Sequence, residues 1–455
     1  MADPSPAQSA PATTAASSER RSSRSSVRFL LGTFTLLLVM TVFSRGDPVE
    51  AFSSPLLALR ASLFSVSSAG TATASSSSVV PALPAGTHGP LTPAQYRAAV
   101  RGMRGKGFLK LMPFLRRPSS SSSSVSSVRA DNKFGMYLTV GSIKRNDFLL
   151  QTMDRVAAEG GNALVLDVKG SYVYFHTDAP MANEIGTAIS SYDLSTVIAE
   201  AKARGLYTIG RFIALKDGVF VQQVPKARVK NLKTGWDLGL GWSDPAAPET
   251  LTYNGEILED LLVSGIDEVN FDYIRYSTAV RPQDTGLTGK EKADRIETFL
   301  VMAKQLRDRV NPQAKLGMSS YAIMGWDYAV NMEPLGQDFV RFAPLLDIIS
   351  PMAYPDTFAQ NSYYIPGKHP RSRPYYLVWR TLKGYADLLG PEHAQKIRPW
   401  IQAYSMDATE IRDEIDAVYD MGLCGFTFWN ANNNYAPAYG ALKLTAASRP
   451  EECKE

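Results

Sequence analysis

The chain is poor in the residues that carry metal and redox chemistry. Two cysteines, Cys424 and Cys453, and four histidines, His88, His176, His369 and His393, are scattered over 455 residues. None has H-x-H or H-E-x-x-H spacing, so no metal is expected. Two cysteines make no disulfide framework. Cys424 lies in the apolar run MGLCGF and reads as a buried thiol. Phosphate motifs are missing too, with no Gly-rich turn after the first strand-like run and no P-loop, and no G-x-S-x-G elbow marks a serine nucleophile. No cofactor is expected.

Charge is divided unevenly. Residues 1–130 hold 14 Lys and Arg against four acids, and the remainder holds 34 basic against 40 acidic residues. The larger part is mildly acidic, so its net field disfavours nucleic acid as a partner. Arg20, Arg21, Arg24 and Arg28 precede an apolar run at 29–43, FLLGTFTLLLVMTVF. That is the pattern of a secretory signal or a type II signal anchor. The run is short of the roughly 17 to 25 residues of a spanning helix. Both readings put the protein in the secretory pathway, secreted or held by one membrane segment. The Ser-rich, acid-poor start also matches an organelle transit peptide. Residues 66–130 are Ser/Ala/Thr/Pro-rich and are expected to form a disordered linker. Within them, 93–115 mixes basic with apolar residues and reads as a membrane-surface helix or a basic linker patch.

From Phe134 the texture changes. Strand-like runs at 134–140, 163–169, 207–215, 268–276, 315–322, 346–354, 398–404 and 425–430 alternate with helical patterns. The helices are expected at 147–159, 194–204, 248–264, 291–310, 337–342, 375–389 and 408–419. Such alternation implies parallel strands joined by crossovers. Eight units predict an α/β fold, a (β/α)8 TIM barrel over 131–445, with 446–455 as a tail. An open doubly wound sheet is the alternative.

Period-two alternation assigns the inward side chains. Asp167 and Lys169 share a face with Val165; Asn270 with Asp272; Ser319 with Tyr321; Ser350 with Met352 and Tyr354; Gln402 with Tyr404; Thr427 with Trp429. Each set turns polar or aromatic at its C-terminal end, the active face of such barrels. Glycosidic cleavage commonly needs two carboxyl groups, one holding a proton and one ionised. Asp272, Asp167 and Asp217 are the catalytic candidates, with Asp356 at a strand end and Asp244 and Asp327 on loops. No glutamate ends a strand. Lys169, Arg211, Lys216 and Arg275 stand among these acids. An ion pair of Asp272 with Arg275 or Arg211 is the structural alternative, as is an Asp167–Lys169 pair. Trp236, Trp242, Trp326, Tyr354, Tyr404 and Trp429 offer faces for stacking on sugar.

Five ordered motifs carry a resemblance. GGNALVLDVKG (160–170), GRFIALKD (210–217), the GW-D-L-G-L-GW-S-DP stretch (235–245), GIDEVNFDYIRY (265–276) and DIISPMAYP (347–355) together resemble a glycoside hydrolase barrel family long catalogued as a domain of unknown function. The resemblance implies a barrel acting on a carbohydrate. It carries Asp167, Lys169, Arg211, Lys216, Asp217, Asp272, Tyr273 and Arg275 onto the family's strand-end positions. Two motifs depart from the family: Asp356-Thr357 replaces a Ser-His-like pair, and Lys169-Gly170-Ser171 replaces an Asp-Lys-Asp type turn. The fourth strand is also distantly similar to the D-x-x-D-x-D-x-E signature of chitinase-type barrels. Asp267, Asn270, Asp272 and Ile274 fall on its positions, so the acid glutamate is missing. Two readings stand: a glycosidase, or a catalytically silent barrel that binds a glycan at the cell surface.

Overall fold

The structure, a computed structural model, describes residues 131–453. The apolar run at 29–43 and the 93–115 patch lie outside them. Among the described residues, no helix is long and apolar enough to cross a membrane.

The principal elements are β1 (Phe134–Leu138), α1 (Asn146–Ala158), β2 (Ala163–Lys169), β3 (Val173–Phe175), β4 (Ala188–Tyr192), α2 (Leu194–Ala203), β5 (Tyr207–Ile213), α3 (Gly218–Gln223), α4 (Pro248–Val263), β6 (Glu268–Asp272), α5 (Gly289–Val310), β7 (Lys315–Tyr321), β8 (Ile348–Met352), α6 (Arg373–His393), β9 (Trp400–Gln402), α7 (Ala408–Tyr419), β10 (Phe426–Trp429) and α8 (Ala436–Thr445). Eight strands run parallel in the order β1-β2-β5-β6-β7-β8-β9-β10. The last pairs with the first, Phe134 opposite Phe426, which closes a (β/α)8 barrel.

Local chemistry sets the helix ends. A capping box of Thr288 and Glu291 starts α5, and one of Asp407 and Glu410 starts α7. Asp193 accepts from the amides of Ser195 and Thr196 to cap α2. Leu149, Met153 and Val156 form the buried stripe of α1, at helical spacing. The expected helix at 337–342 shortens to Phe339–Phe342 and follows another at Tyr328–Leu335.

The outer faces of the strands and the inner faces of the helices form one large apolar core, which includes Leu164, Leu166, Val168, Phe212 and Phe271. The barrel interior is different, because polar levels there adjoin a small apolar cluster that includes Val165, Ile209 and Trp400. At its floor the Arg398 guanidinium donates to Asp131 and to both oxygens of Glu268. The Arg398 and Glu268 side chains are 1% and 0% exposed. One level up, Ser319 donates to Asn270, Asn270 donates to Ser350, and the Trp400 indole N–H donates to Ser319.

Three expectations change. The two strands β3 and β4 were not anticipated; they form a flap hydrogen-bonded to the end of β2. The β2–β5 register shifts between Asp167 and Lys169, which sets Lys169 opposite Phe212 on the helix side rather than inside the barrel. Cys424 is no free thiol: it is disulfide-bonded to Cys453, tying the chain end to the approach of β10.

Removing one partner of a buried ion pair leaves an uncompensated charge. Arg398→Met is therefore expected to lower stability by about 3–5 kcal/mol in urea denaturation. Adding Glu268→Leu to the same protein is expected to restore most of it. If Arg398→Met alone is neutral, the floor pair does not support the barrel.

Candidate active site

The C-terminal mouth centres on one guanidinium. Arg211, on β5, lies between β2 and β6 in the sheet. Its Nη1 donates to Asp167 Oδ1 at 2.9 Å. Its Nε and Nη2 both donate to Asp272 Oδ2, at 2.9 and 2.7 Å. Two carboxylates from neighbouring strands thus share a single arginine. Each of the three side chains keeps only a tenth or so of its surface exposed: 10% for Arg211, 12% for Asp167 and 11% for Asp272.

The two acids have different surroundings. Asp272 accepts a third N–H, from the Tyr273 amide at 2.8 Å. It is an acceptor on all sides. Tyr273 itself takes a left-handed backbone, φ 54°, which ends β6 at Asp272. Asp167 accepts one bond from Arg211 and one from the Tyr137 hydroxyl at 2.6 Å. Burial pushes its carboxyl above the usual carboxylate range, against the Arg211 charge and the Tyr137 hydrogen bond, and the neighbouring Asp272 adds to the rise. The flap braces this residue: the Tyr192 hydroxyl of β4 donates to the Asp167 carbonyl at 2.7 Å.

Aromatic rings floor the cluster. Trp429 stacks on Tyr137, with ring centroids 4.2 Å apart. The Arg211 guanidinium lies 5.0 Å from the Trp429 ring centroid. Tyr354 is buried and meets Tyr404 edge-on at 6.3 Å.

The other candidates are distributed as follows. Lys169 and Asp217 pair with each other at 2.8 Å, both side chains 0% exposed. The ammonium packs against the Phe212 and Tyr253 rings, on the helix side of the wall. This corrects the Asp167–Lys169 pairing and removes Asp217 and Lys169 from the mouth. Asp217 also caps α3 through the Phe220 amide. Asp272 pairs with Arg211 and not with Arg275, whose guanidinium sits among Trp242, Tyr273 and Tyr321. The Lys216 ammonium lies over the Tyr273 ring. Asp356 is exposed and exchanges two hydrogen bonds with the Gln402 amide group. Asp244 is clamped by Arg295, and Asp327 caps Tyr328–Leu335. Trp236 is 74% exposed on a turn, and Trp326 packs into an aromatic group with Phe358 and Tyr363. Among the described residues, no group of His, Cys, Asp and Glu is arranged to hold a metal ion.

Two residues were missed. Tyr137 was readable as the inward residue at the end of FGMYL. Glu414, on α7, is fully buried, and burial holds its carboxyl well above the ordinary range.

With this geometry in place, comparison with known proteins is informative. Residues 135–435 match the family described as "Putative glycosyl hydrolase domain". The chain belongs to that family. Among solved structures, a hypothetical protein from Ruminiclostridium thermocellum is 30% identical, over 40% of this chain and 96% of that one, with a TM-score of 0.35. The β-galactosidase of the psychrophilic Marinomonas ef1 is 11% identical, over 69% of this chain and 59% of that one, with a TM-score of 0.50. The endo-β-1,4-mannanase of Thermotoga petrophila is 13% identical, over 70% and 77%, with a TM-score of 0.44. No curated protein matches. The family supports a glycosidase-like barrel, and the likeness to the β-galactosidase shows the fold.

The sealed pair makes a direct prediction. Lys169→Met strands the Asp217 carboxylate in an apolar wall and is expected to lose about 3–5 kcal/mol of stability. Thermal and urea unfolding measure it, and a variant as stable as the parent would return Asp217 to the list of solvent-reachable acids.

Proposed function

We propose that the barrel is a glycosidase that cleaves a poly- or oligosaccharide with Asp167 and Asp272 as its carboxyl pair. One observation supports this above the others: two carboxyl groups lie close enough to share Arg211, at the face where barrel enzymes work, and burial raises the affinity of Asp167 for protons. Asp167 is the proton donor to the leaving glycosidic oxygen. Asp272, an acceptor on every side, is the nucleophile or the base that activates water. As Asp167 gives up its proton, negative charge develops beside a guanidinium already in place. Trp429, backed by the buried Tyr137 ring, offers the sugar a flat apolar wall.

The silent-barrel reading draws on the same arginine. A guanidinium clamped between both acids also describes a binding site that never cleaves. A glycan-array screen, followed by incubation of the protein with the glycans it retains, separates the two. Cleavage is expected, and retention without new reducing ends favours the silent barrel.

Two outcomes follow for variants and pH. Asp272→Asn is expected to lower turnover by at least about 10²–10⁴-fold while the protein stays folded by circular dichroism. Cleavage at the parental rate would refute the role of Asp272. The raised Asp167 is active while protonated, so turnover is expected to hold below its folded-state pKa and fall as pH rises through it. Asp167→Asn removes that alkaline limb together with the activity; a limb that persists in a residually active variant assigns it to another group.

A further inference from the structure

Arg275 stands three residues beyond Asp272, and the mouth as described gives it no acid. Its guanidinium lies 4.7 Å from the Trp242 ring centroid, 5.3 Å from Tyr273 and 4.6 Å from Tyr321. Nη1 donates to the Tyr276 carbonyl at 3.0 Å, and Nη2 donates to the Tyr321 hydroxyl. Those are two of its five N–H groups. Among the described residues, no carboxylate pairs with it, and the residue is 8% exposed.

The magnitudes matter. Taking an ion out of water costs several kcal/mol even after relaxation. Contacts with ring faces return about 0.5–2 kcal/mol. Arg211, by contrast, has two carboxylates for its one charge. One of those rings, Tyr273, also lies 5.1 Å from the Lys216 ammonium. That ring is fixed next to the reacting centre, because the Tyr273 amide is bonded to Asp272 and its backbone is held in the left-handed region. Arg275 therefore adjoins the carboxyl pair through Tyr273.

We infer that the bound glycan carries a carboxylate on the sugar beside the Asp167–Asp272 pair, a uronic-acid type residue, and that Arg275 holds it. The remaining N–H groups of a guanidinium match the planar, two-oxygen face of a carboxylate, with geometry that an ammonium does not reproduce. This inference rests on the reading of the mouth as a glycan site, and it does not require that the glycan be cleaved.

The test is affinity electrophoresis of the full-length protein through gels containing polygalacturonate, alginate or hyaluronan. Each polymer is run beside its carboxyl-reduced form, in which the uronic acids are neutral sugars on the same linkages, and a sulfated neutral polymer runs as a further arm. Arg275→Met is run in parallel. It keeps the basic 1–130 segment, so the retardation it loses isolates the site from general attraction to polyanions. The expected result is retardation by at least one uronate polymer that weakens at least about tenfold both on carboxyl reduction and in Arg275→Met. Arg275→Lys, which keeps the charge but not the fork, is expected to fall between the two, and it reads the site should the methionine variant fail to fold. The inference is overturned if the reduced polymer is held equally well, if no uronate polymer is retarded, if Arg275→Met behaves as the parent, or if the Arg275-dependent part follows sulfate rather than carboxylate. Reducing ends assayed in the same gels report on cleavage separately. Uronate held but uncut sinks the glycosidase reading and leaves this one standing.

Discussion

The mouth depends on the Arg211 guanidinium. Two carboxylates so close repel each other, and in a nearly dry site that repulsion is large. Arg211 answers it by giving each acid its own N–H groups. Their second partners differ: an amide for Asp272, a phenol for Asp167, whose carboxyl burial raises despite that bond. Supporting pieces are arranged around this fork. Tyr192 holds the backbone behind Asp167, Trp429 lies against the guanidinium, and the turn at Tyr273 ends the strand where Asp272 must face inward.

The barrel has a second buried ionic group, the Arg398–Glu268–Asp131 floor, and the contrast is instructive. Swapping buried ion pairs for apolar residues of similar size often leaves stability unchanged or improves it. Neither group is therefore explained by stability alone. The floor is sealed and lies at the end of the barrel where strands begin, a place for fixing register. The upper group retains some exposure and lies where strands end, a place for chemistry. The sequence and packing rules are the same at both ends; access and position separate their roles.

Much of this was legible in the sequence. Alternating strand and helix patterns located all eight barrel strands, and inward alternation selected Asp167, Asp272, Tyr354, Gln402 and Trp429. The errors have physical causes. The run FDYIRY continues to look like a strand past Asp272, but only backbone geometry reveals the left-handed turn at Tyr273. The shift in register after Asp167 inverts the face of Lys169, and no pattern of apolar residues announces such a bulge. The flap strands are three and five residues long, and AISSY has few of the side chains that mark a strand. Which arginine meets which aspartate is a matter of distance across the barrel, so the Arg211 fork and the Lys169–Asp217 pair emerge only from the fold. Two cysteines 29 residues apart similarly do not declare that they pair.

The closing seam has a consequence for how the molecule comes into being. Strand β1 is completed by β10, and the contact is finished by Asn433 and Tyr435, which reach back to Thr139 and Tyr137 across as many as 294 and 298 residues. During synthesis the first strand must wait, with one edge unpaired, until nearly the whole chain has left the ribosome. Contacts this distant in sequence make for slow folding, and waiting edges invite pairing with the wrong chain. The seam is thus a kinetic bottleneck in birth as well as a joint in the finished wall, and the ring of strands that displays the carboxyl pair exists only after its last member arrives.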